Sequence, residues 1–229
     1  MIRFGLIGDP ISHSVSPEFF AKAYGGHWPY DLIEGADFKA SWKRFIDEYQ
    51  AINITAPFKE PAFREVLANG VMDAEVQAIG AINIAVKEAD GRIHGYNSDF
   101  LGVMKVLRDH GFGEGSTVVV AGFGGAGKAA AAAGKALGCD VVICNRTRHT
   151  PDIRPLEELP VLAGVADLLI YTLAFPIPEL DGLEVPAILE ANYRTPCLAS
   201  RPGYIPGTEW HRAQAVTGYP LMTGEPADL

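Results

Sequence analysis

A lysine placed just after a short apolar run is the first residue of this sequence that could do acid/base chemistry. The stretch AINITAPFKEP covers residues 51–61, and its β-branched run Ala51–Thr55 predicts a buried strand. Ala56-Pro57 ends that strand, so Lys59 is expected at its C-terminal end. Open α/β sheets bind ligands at that edge. The alternative is a solvated surface lysine, because lysine is seldom fully buried.

A glycine-rich turn indicates a dinucleotide site. Gly122, Gly124 and Gly127 form a GxGxxG pattern after a predicted strand, Thr117–Ala121, and an alanine-rich helix and a second strand, Asp140–Cys144, follow. The glycines allow a tight turn, close approach of the backbone to a pyrophosphate, and close packing of helix on strand. The helix N-terminus would face the phosphates. A structural glycine turn is the alternative, but the complete strand, turn, helix and strand favours nucleotide binding.

The residues after the second of these strands indicate which dinucleotide binds. An NAD site usually has an acidic residue there for the ribose 2′-hydroxyl, whereas this chain has Asn145, Arg146, Thr147 and Arg148. Guanidinium groups bind phosphate in a planar, bidentate manner, and the threonine adds a hydroxyl donor. The sequence therefore predicts NADP(H) as cofactor. Two solvated arginines on a loop are the alternative.

Composition limits the classes of partner. The chain has 229 residues, with 19 Lys+Arg against 28 Asp+Glu and a net charge of −9, which argues against nucleic acid or an anionic membrane as partner. We expect a small-molecule ligand, a monomer or homodimer, and no metal. No leader-like segment and no run of about 18 apolar residues is found, so a cytoplasmic location is expected. Cys139, Cys144 and Cys197 lack CxxC spacing and are predicted to be reduced core residues.

The elements that must position these residues alternate between strand and helix. Predicted strands cover Ile2–Ile7 and Tyr30–Glu34, and Ser16-Pro17 is predicted to start a helix with Ser16 as N-cap. A core-facing helical stripe is predicted from Phe38, Trp42, Phe45, Ile46 and Tyr49.

Further along the chain, the residues 63–69 are predicted to be a helix that Gly70 closes in the left-handed conformation. The segments 81–87 and 92–96 predict a hairpin, and 99–110 a helix that ends at Gly111. The glycine-rich link Gly111–Ser116 is the expected domain boundary. These patterns predict an α/β protein of two domains, with the active site in a cleft between them.

Several motifs, in order along nearly the whole chain, resemble those of the shikimate dehydrogenase family. GDPISHSVSP resembles its N-terminal signature, and NITAPFK, GAIN and GYNSDFLG resemble three further segments. The GxGGA turn and Asn-Arg-Thr resemble its NADP-binding elements. Tyr193 with Thr195-Pro196, and Gln214-Ala215, resemble its substrate-side segments near the C-terminus.

The resemblance implies a role for each matching residue. Lys59 and Asp99 would be catalytic, and Ser14 and Ser16 would hold the substrate carboxylate. The other substrate-binding residues would be Thr55, Asn83, Tyr193 and Gln214. The cofactor-binding residues would be Gly122, Gly124, Gly125, Ala126, Gly127, Asn145, Arg146, Thr147 and Arg148.

The domains implied are an N-terminal α/β substrate domain over residues 1–100, a Rossmann dinucleotide-binding domain over 101–205, and a C-terminal helix over 206–229 that returns to the first domain. The implied reaction is the reversible NADPH-dependent reduction of 3-dehydroshikimate to shikimate.

The chain also departs from the family pattern. Ile84 stands where a small hydroxyl residue is usual, Ser98 replaces a threonine, Phe100 a glycine and Lys128 an arginine, and the C-terminal helical segment is short. Two alternatives therefore stay open. One is a quinate or quinate/shikimate dehydrogenase, and the other is a catalytically silent NADP-binding regulatory module.

Overall fold

The chain forms two compact units in the computed structural model, which describes residues 2–147 and 150–229. The first unit comprises Met1–Ser98 and Gln214–Leu229, and the second comprises Asp99–Ala213. The expected boundaries at residues 100 and 205 therefore differ from the observed ones. The link Gly111–Ser116, predicted to be a domain boundary, lies inside the second unit.

The first unit contains a mixed five-stranded sheet. Its strands are β1 (Phe4–Gly8), β2 (Tyr30–Glu34), β3 (Ala51–Ile54), β4 (Ile84–Lys87) and β5 (Ile93–Tyr96). The order is β2-β1-β3-β4-β5, with β1 parallel to both neighbours and β3, β4 and β5 antiparallel in turn. The predicted hairpin is confirmed as β4 and β5. The chain crosses from β1 to β2 and back to β3, so the crossovers diverge at the C-terminal ends of β1 and β3.

Four helices accompany this sheet, namely α1 (Ser16–Ala23), α2 (Phe38–Glu48), α3 (Lys59–Asn69) and α4 (Ala74–Ile79). One apolar cluster includes Trp42, Phe45 and Tyr49 of the predicted stripe. Ile46 is the exception, since it is 38% exposed. A second cluster joins Phe4 and Phe20 to residues near the C-terminus. Strand alternation separates the two clusters, because successive side chains point to opposite faces.

Two helix starts differ from the prediction. Val15 is the N-cap of α1, so Ser16 is the first helical residue and Pro17 the second. The Ser16 hydroxyl is therefore not the cap. Helix α3 begins at Lys59, four residues before the predicted start at Phe63, because Pro61 falls within the first turn, where a missing N–H costs no helical hydrogen bond.

Gly70 is required for a different reason from the one predicted. Its backbone is extended, with φ −131°, instead of left-handed. A Cβ built there would lie 2.3 Å from the Ile93 carbonyl oxygen. The neighbouring Val71 N–H donates to that same oxygen at 2.9 Å. Gly70 thus allows α3 to end against β5, and the short helix α4, which no pattern in the sequence predicted, comes next.

The second unit begins with α5 (Ser98–Asp109), whose first residue belongs to the first unit. Next come β6 (Thr117–Ala121), α6 (Gly125–Ala136), β7 (Asp140–Cys144), α7 (Leu159–Ala163), β8 (Leu168–Tyr171), β9 (Ala187–Glu190), β10 (Tyr204–Ile205) and α8 (Gly207–Thr223). Helix α8 starts in the second unit, and its residues from Gln214 onward belong to the first. Short 3-10 turns occupy Leu156–Glu158 and Pro178–Leu180.

The second sheet is wholly parallel, with the order β10-β9-β8-β6-β7. This is a doubly wound arrangement whose crossovers diverge at the C-terminal ends of β6 and β8. The strand residues Val118, Val119 and Val120 are fully buried, as expected for a strand covered on both faces. The predicted two-domain α/β class is confirmed.

The cysteine prediction needs one correction. Cys139 and Cys144 are buried, but Cys197 is exposed, because it lies in the loop after β9 and not in a strand or helix. Among the described residues, no helix is long and apolar enough to cross a membrane.

We expect Gly70→Ala to lower the free energy of unfolding by about 1–3 kcal/mol, because the added methyl group would displace the Ile93 carbonyl and its hydrogen bond. Gly35→Ala is the matched control, since the nearest atom to its built Cβ is Ser41 Oγ at 3.8 Å. Urea denaturation of both variants measures the effect. Equal midpoints for the two would contradict the close approach.

Candidate functional site

Two serines lie at the start of α1, just beyond the C-terminal end of β1. Ser14 Oγ donates to Ser16 Oγ at 3.0 Å, and the Ser16 N–H donates to Ser14 Oγ at 3.3 Å. Both side chains are partly exposed. Neither hydroxyl serves as the N-cap of α1, whose N-cap is Val15. The pair offers two neutral hydroxyl donors at a helix N-terminus, an arrangement suited to a carboxylate.

Thr55 and Lys59 lie beyond the adjacent end of β3. The Thr55 N–H donates to the Ile7 carbonyl at 3.0 Å, which extends the pairing of β3 with β1 by one residue. A Cβ built on Gly8 would lie 2.4 Å from Thr55 Cγ2, so the glycine at the end of β1 allows the threonine to approach. The polar residues that come after β1 and β3 are thereby brought to one edge of the sheet.

Lys59 is the first residue of α3 and is half-buried. A cation at a helix N-terminus is disfavoured by the helix dipole, which favours cations at the opposite end. A solvated surface lysine would gain nothing from this position. The placement therefore favours a functional role over that of a solvated surface residue.

Asn83 is 7% exposed and is held firmly. Its Oδ1 accepts from the Ser98 N–H at 2.7 Å, while its main chain bonds to Tyr96 and Ile54. The side-chain oxygen is therefore engaged within the protein, and the Nδ2 group is the part suited to a ligand oxygen.

The residues that depart from the family pattern near Asn83 pack against α8. A Cβ built on Gly218 would lie 2.7 Å from Ile84 Cδ1 and 2.9 Å from Ser98 Cβ. The bulkier Ile84 is thus accommodated by a glycine on the helix that carries Gln214. Gln214 itself is partly exposed, and its carbonyl accepts from Thr217 Oγ1 at 3.4 Å.

Asp99 and Tyr193 belong to the second unit. Asp99 is in the first turn of α5, and its carbonyl accepts from Trp210 Nε1 at 3.0 Å. The ring of His211, the next residue, lies 4.9 Å from the Tyr193 ring. Burial lowers the pKa of His211, Arg194 lowers it further, and Asp99 opposes both.

Asp99, Tyr193 and His211 therefore form one neighbourhood within the second unit. Sequence reasoning missed Trp210 and His211. Their only signal was their position in the same helix as Gln214, four and three residues before it.

A buried carboxylate fixes the loop that carries Tyr193. Glu190 is fully buried at the end of β9 and accepts from the Cys197 and Leu198 N–H groups at 2.7 and 3.0 Å. Cys197 Sγ lies 3.2 Å from the same carboxylate. Although Cys197 is exposed as a residue, partial desolvation of its sulfur and the neighbouring Glu190 carboxylate raise the pKa of the thiol to about 11. Sequence reasoning missed Glu190, because only the fold shows that this acid is buried.

The glycine turn after β6 has the geometry that a pyrophosphate requires. Gly122 has φ +96°, a conformation that favours glycine. A Cβ on Gly127 would lie 2.1 Å from the Gly122 carbonyl oxygen, whereas a Cβ on Gly124 or Gly125 would meet nothing within 4 Å. The turn is thus tight on its protein side and open on the other. Gly125, Ala126 and Gly127 form the first turn of α6, where backbone N–H groups lack helical partners.

The loop after β7 carries no acidic residue at positions 145–147. Asn145 Nδ2 donates to the Thr147 carbonyl at 2.8 Å, and the Asn145 N–H donates to the Arg154 carbonyl at 2.9 Å. Asn145 therefore shapes the loop, while Arg146 and Thr147 are exposed. Arg148, also predicted to bind cofactor, lies outside the described residues. The residues present fit a 2′-phosphorylated dinucleotide.

No cluster of three or more His, Cys, Asp or Glu side chains suited to a metal ion occurs among residues 2–147 and 150–229. The predicted site residues instead fall into two groups. Ser14, Ser16, Thr55, Lys59, Asn83 and Gln214 are in the first unit, and Asp99, Tyr193 and the nucleotide turn are in the second.

Comparison with known proteins connects these features to a family. A family model described as the shikimate dehydrogenase substrate binding domain matches residues 6–85. A shikimate dehydrogenase (NADP(+)) of Natronomonas pharaonis is 33% identical over 83% of this chain and 78% of its own. That of Halobacterium salinarum is 36% identical over 72% of this chain and 63% of its own.

A solved structure gives the same result. The shikimate 5-dehydrogenase of Thermus thermophilus, in complex with NADP(H) and shikimate, is 27% identical, with a TM-score of 0.81 over 100% of this chain and 95% of that chain. Together with the two relatives above, this structure extends the agreement in sequence and fold over both units. The chain belongs to the shikimate dehydrogenase family.

Proposed function

We propose that this protein is an NADP-dependent shikimate dehydrogenase, which catalyses the reversible reduction of 3-dehydroshikimate to shikimate. The observation that carries the proposal is the arrangement in the first unit, where the serine pair comes after β1 while Thr55 and Lys59 come after β3 at one edge of the sheet. That edge combines neutral donors with one cation. Membership of the family supports the substrate, since its relatives bear the name of this activity.

The proposed substrate is a small hydroxylated carboxylate, and the polar side chains suit it. Ser14 and Ser16 would donate to the carboxylate without adding charge. Hydroxyl groups of the ring need partners that donate and partners that accept. Thr55 and Gln214 provide groups of both kinds, and Asn83 provides its Nδ2 group as a donor, because its Oδ1 already accepts from the Ser98 N–H. Tyr193 adds a phenolic hydroxyl. A site built to pair hydroxyls rejects analogues that lack them, since its own polar groups would be left unsatisfied.

Lys59 is the proposed source of the proton. NADPH supplies hydride to the ketone carbon when it is bound. As negative charge develops on the ketone oxygen, the Lys59 ammonium stabilises it by a hydrogen bond and transfers a proton to it. Asp99 is the second proposed catalytic residue, whose carboxylate would accept a hydrogen bond from a ring hydroxyl of the substrate.

The second unit is proposed to bind the cofactor. The open side of the turn at Gly124 and Gly125 would admit the pyrophosphate, and the first turn of α6 would donate to it. Arg146 and Thr147, together with Arg148, would bind the 2′-phosphate. Asn145 would hold the loop in shape.

A quinate or quinate/shikimate dehydrogenase is the second candidate. Ile84 is fully buried beside Asn83, where the family usually has a small hydroxyl residue, so hydroxyl recognition near Asn83 could differ. The silent regulatory module receives less support, because Lys59, Asp99 and the serine pair are all present. A small-molecule substrate, a cytoplasmic location and a monomeric or homodimeric state complete the proposal.

The direct test is the near-ultraviolet absorbance of the reduced cofactor that the purified protein forms, first with shikimate and NADP, then with shikimate and NAD, and then with quinate in place of shikimate. We expect the highest kcat/KM with shikimate and NADP. A higher kcat/KM with quinate would favour the second candidate, and no turnover with any pair would favour the silent module.

We expect Lys59→Ala to reduce kcat by roughly 10² or more, the usual scale for loss of a positioned acid/base. Lys22→Ala is the matched control, because Lys22 is an exposed lysine in the last turn of α1 in the same unit. Initial rates at saturating substrate measure the effect, and NADP titration checks that cofactor binding is retained. A kcat close to that of the control would remove Lys59 from the mechanism.

We expect Arg146→Gln to raise the Kd for NADP about tenfold or more while changing the Kd for NAD little, since a charge-assisted hydrogen bond to the 2′-phosphate would be lost. Lys135→Gln, an exposed residue of α6, removes the same charge from the same unit and should leave both constants unchanged. Titration by protein fluorescence gives both values. Equal losses for the two cofactors would mean that Arg146 does not recognise the 2′-phosphate.

A further inference from the structure

A tyrosine outside the predicted site lies behind the serine pair. Tyr30 is the first residue of β2, and its hydroxyl donates to Asn53 Oδ1 at 2.8 Å. Asn53 is in the middle of β3, two residues before Thr55. The Tyr30 side chain therefore reaches across β1, which lies between these two strands.

Helix α1 presents Ser16 toward this tyrosine. Ser16 and Phe20 are one helical turn apart and share a face of α1. The Phe20 ring packs against the Tyr30 ring with centroids 4.7 Å apart, and Phe20 is fully buried. The face of α1 that carries Ser16 is thus the face that covers Tyr30. The aromatic contact fixes the distance between helix and strand.

The hydroxyl protons of Ser14, Ser16 and Tyr30 can be assigned one by one. Each hydroxyl has one proton to donate. Ser14 donates to Ser16, and Tyr30 donates to Asn53. Ser16 is also a hydrogen-bond partner of the Tyr30 hydroxyl. In this arrangement the Ser16 proton goes to the Tyr30 oxygen, and neither serine has a proton directed at a ligand. The arrangement must change when both serines donate to a carboxylate.

We propose that Tyr30 is a positioning residue for Ser16, whose hydroxyl turns from Asn53 to donate to Ser16 Oγ when a substrate carboxylate binds. Both serine protons then point at the carboxylate, and Ser16 receives a hydrogen bond in place of the one from Ser14. A donor behind Ser16 polarises its O–H group and strengthens its bond to the anion. This inference rests on the proposed role of Ser16 in the proposed function.

Electrostatics agree with a protonated phenol that serves as a donor. Burial raises the pKa of Tyr30 well above its usual value, Tyr219 adds to the shift, and Ser16 opposes it as a hydrogen-bond donor. Tyr30 therefore keeps its proton over the working pH range.

The test is a double-mutant cycle of Tyr30→Phe and Ser16→Ala. Tyr30→Phe keeps the ring that packs on Phe20 and removes only the hydroxyl. We expect it to raise KM for shikimate roughly three- to tenfold, with kcat and the Kd for NADP nearly unchanged, because one hydrogen bond behind the carboxylate is lost. Once Ser16 is alanine, removal of the Tyr30 hydroxyl should have no further effect on KM.

Tyr24→Phe is the matched control. Tyr24 belongs to the same aromatic cluster, but its hydroxyl is engaged with Thr223 and the Glu225 carbonyl. We expect its KM to be that of the wild type, and thermal melts to show that all variants are folded.

The outcomes separate this inference from the proposed function. Suppose that the wild type turns over shikimate. If Tyr30→Phe then has an unchanged or lower KM, or if the two substitutions have additive effects on KM, the role of Tyr30 is overturned and the proposed function stays intact. If the wild type shows neither turnover nor calorimetric binding of shikimate, the proposed function and this inference both fail. If shikimate binds without turnover, the cycle is measured on Kd with the same expectations.

Discussion

The close approach of two adjacent parallel strands at their C-terminal ends is the constraint on which both units depend. In the first unit a Cβ on Gly8 would lie 2.4 Å from Thr55 Cγ2, and in the second a Cβ on Gly122 would lie 2.5 Å from Thr172 Oγ1. Each glycine lies at the end of the first strand of its sheet, and each threonine comes directly after the neighbouring strand. Both pairs lie where the crossovers diverge. The same close approach of a glycine to a threonine therefore occurs at both of the edges where we propose that ligands bind.

The segment after each glycine decides the chemistry of the edge. After Gly8 the chain continues to the serine pair of α1, and after Thr55 it continues to Lys59, so the first edge has neutral donors and one cation. After Gly122 the chain turns at once into α6, so the second edge offers backbone N–H groups. The first set suits a hydroxylated carboxylate and the second a pyrophosphate. One architecture thus presents two sets of donors, each suited to the ligand proposed for it.

Two residues stand where the helix dipole or burial works against stability, and they belong to the proposed site or to the loop that carries one of its residues. Lys59 places a cation at the N-terminus of α3, which the helix dipole disfavours. Glu190 buries a carboxylate, and the hydrogen bonds from Cys197 and Leu198 offset the cost of removing it from water. The Glu190 contacts hold the loop of Tyr193. The lysine is exposed enough for its proposed role, and the glutamate is buried enough to fix a loop.

The sequence by itself determined the two-domain α/β class, the glycine turn and the motifs that identify the family, because strand and helix periodicity and local turn chemistry are encoded over short stretches. Only the tertiary structure decided how Gly70 is used, since a glycine after a helix suits both a left-handed cap and a close approach to β5. Only the tertiary structure likewise revealed the surroundings of Tyr30, Glu190 and His211. Their partners are distant in the sequence or depend on how a loop folds back, so their environments exist only when strands and helices have packed.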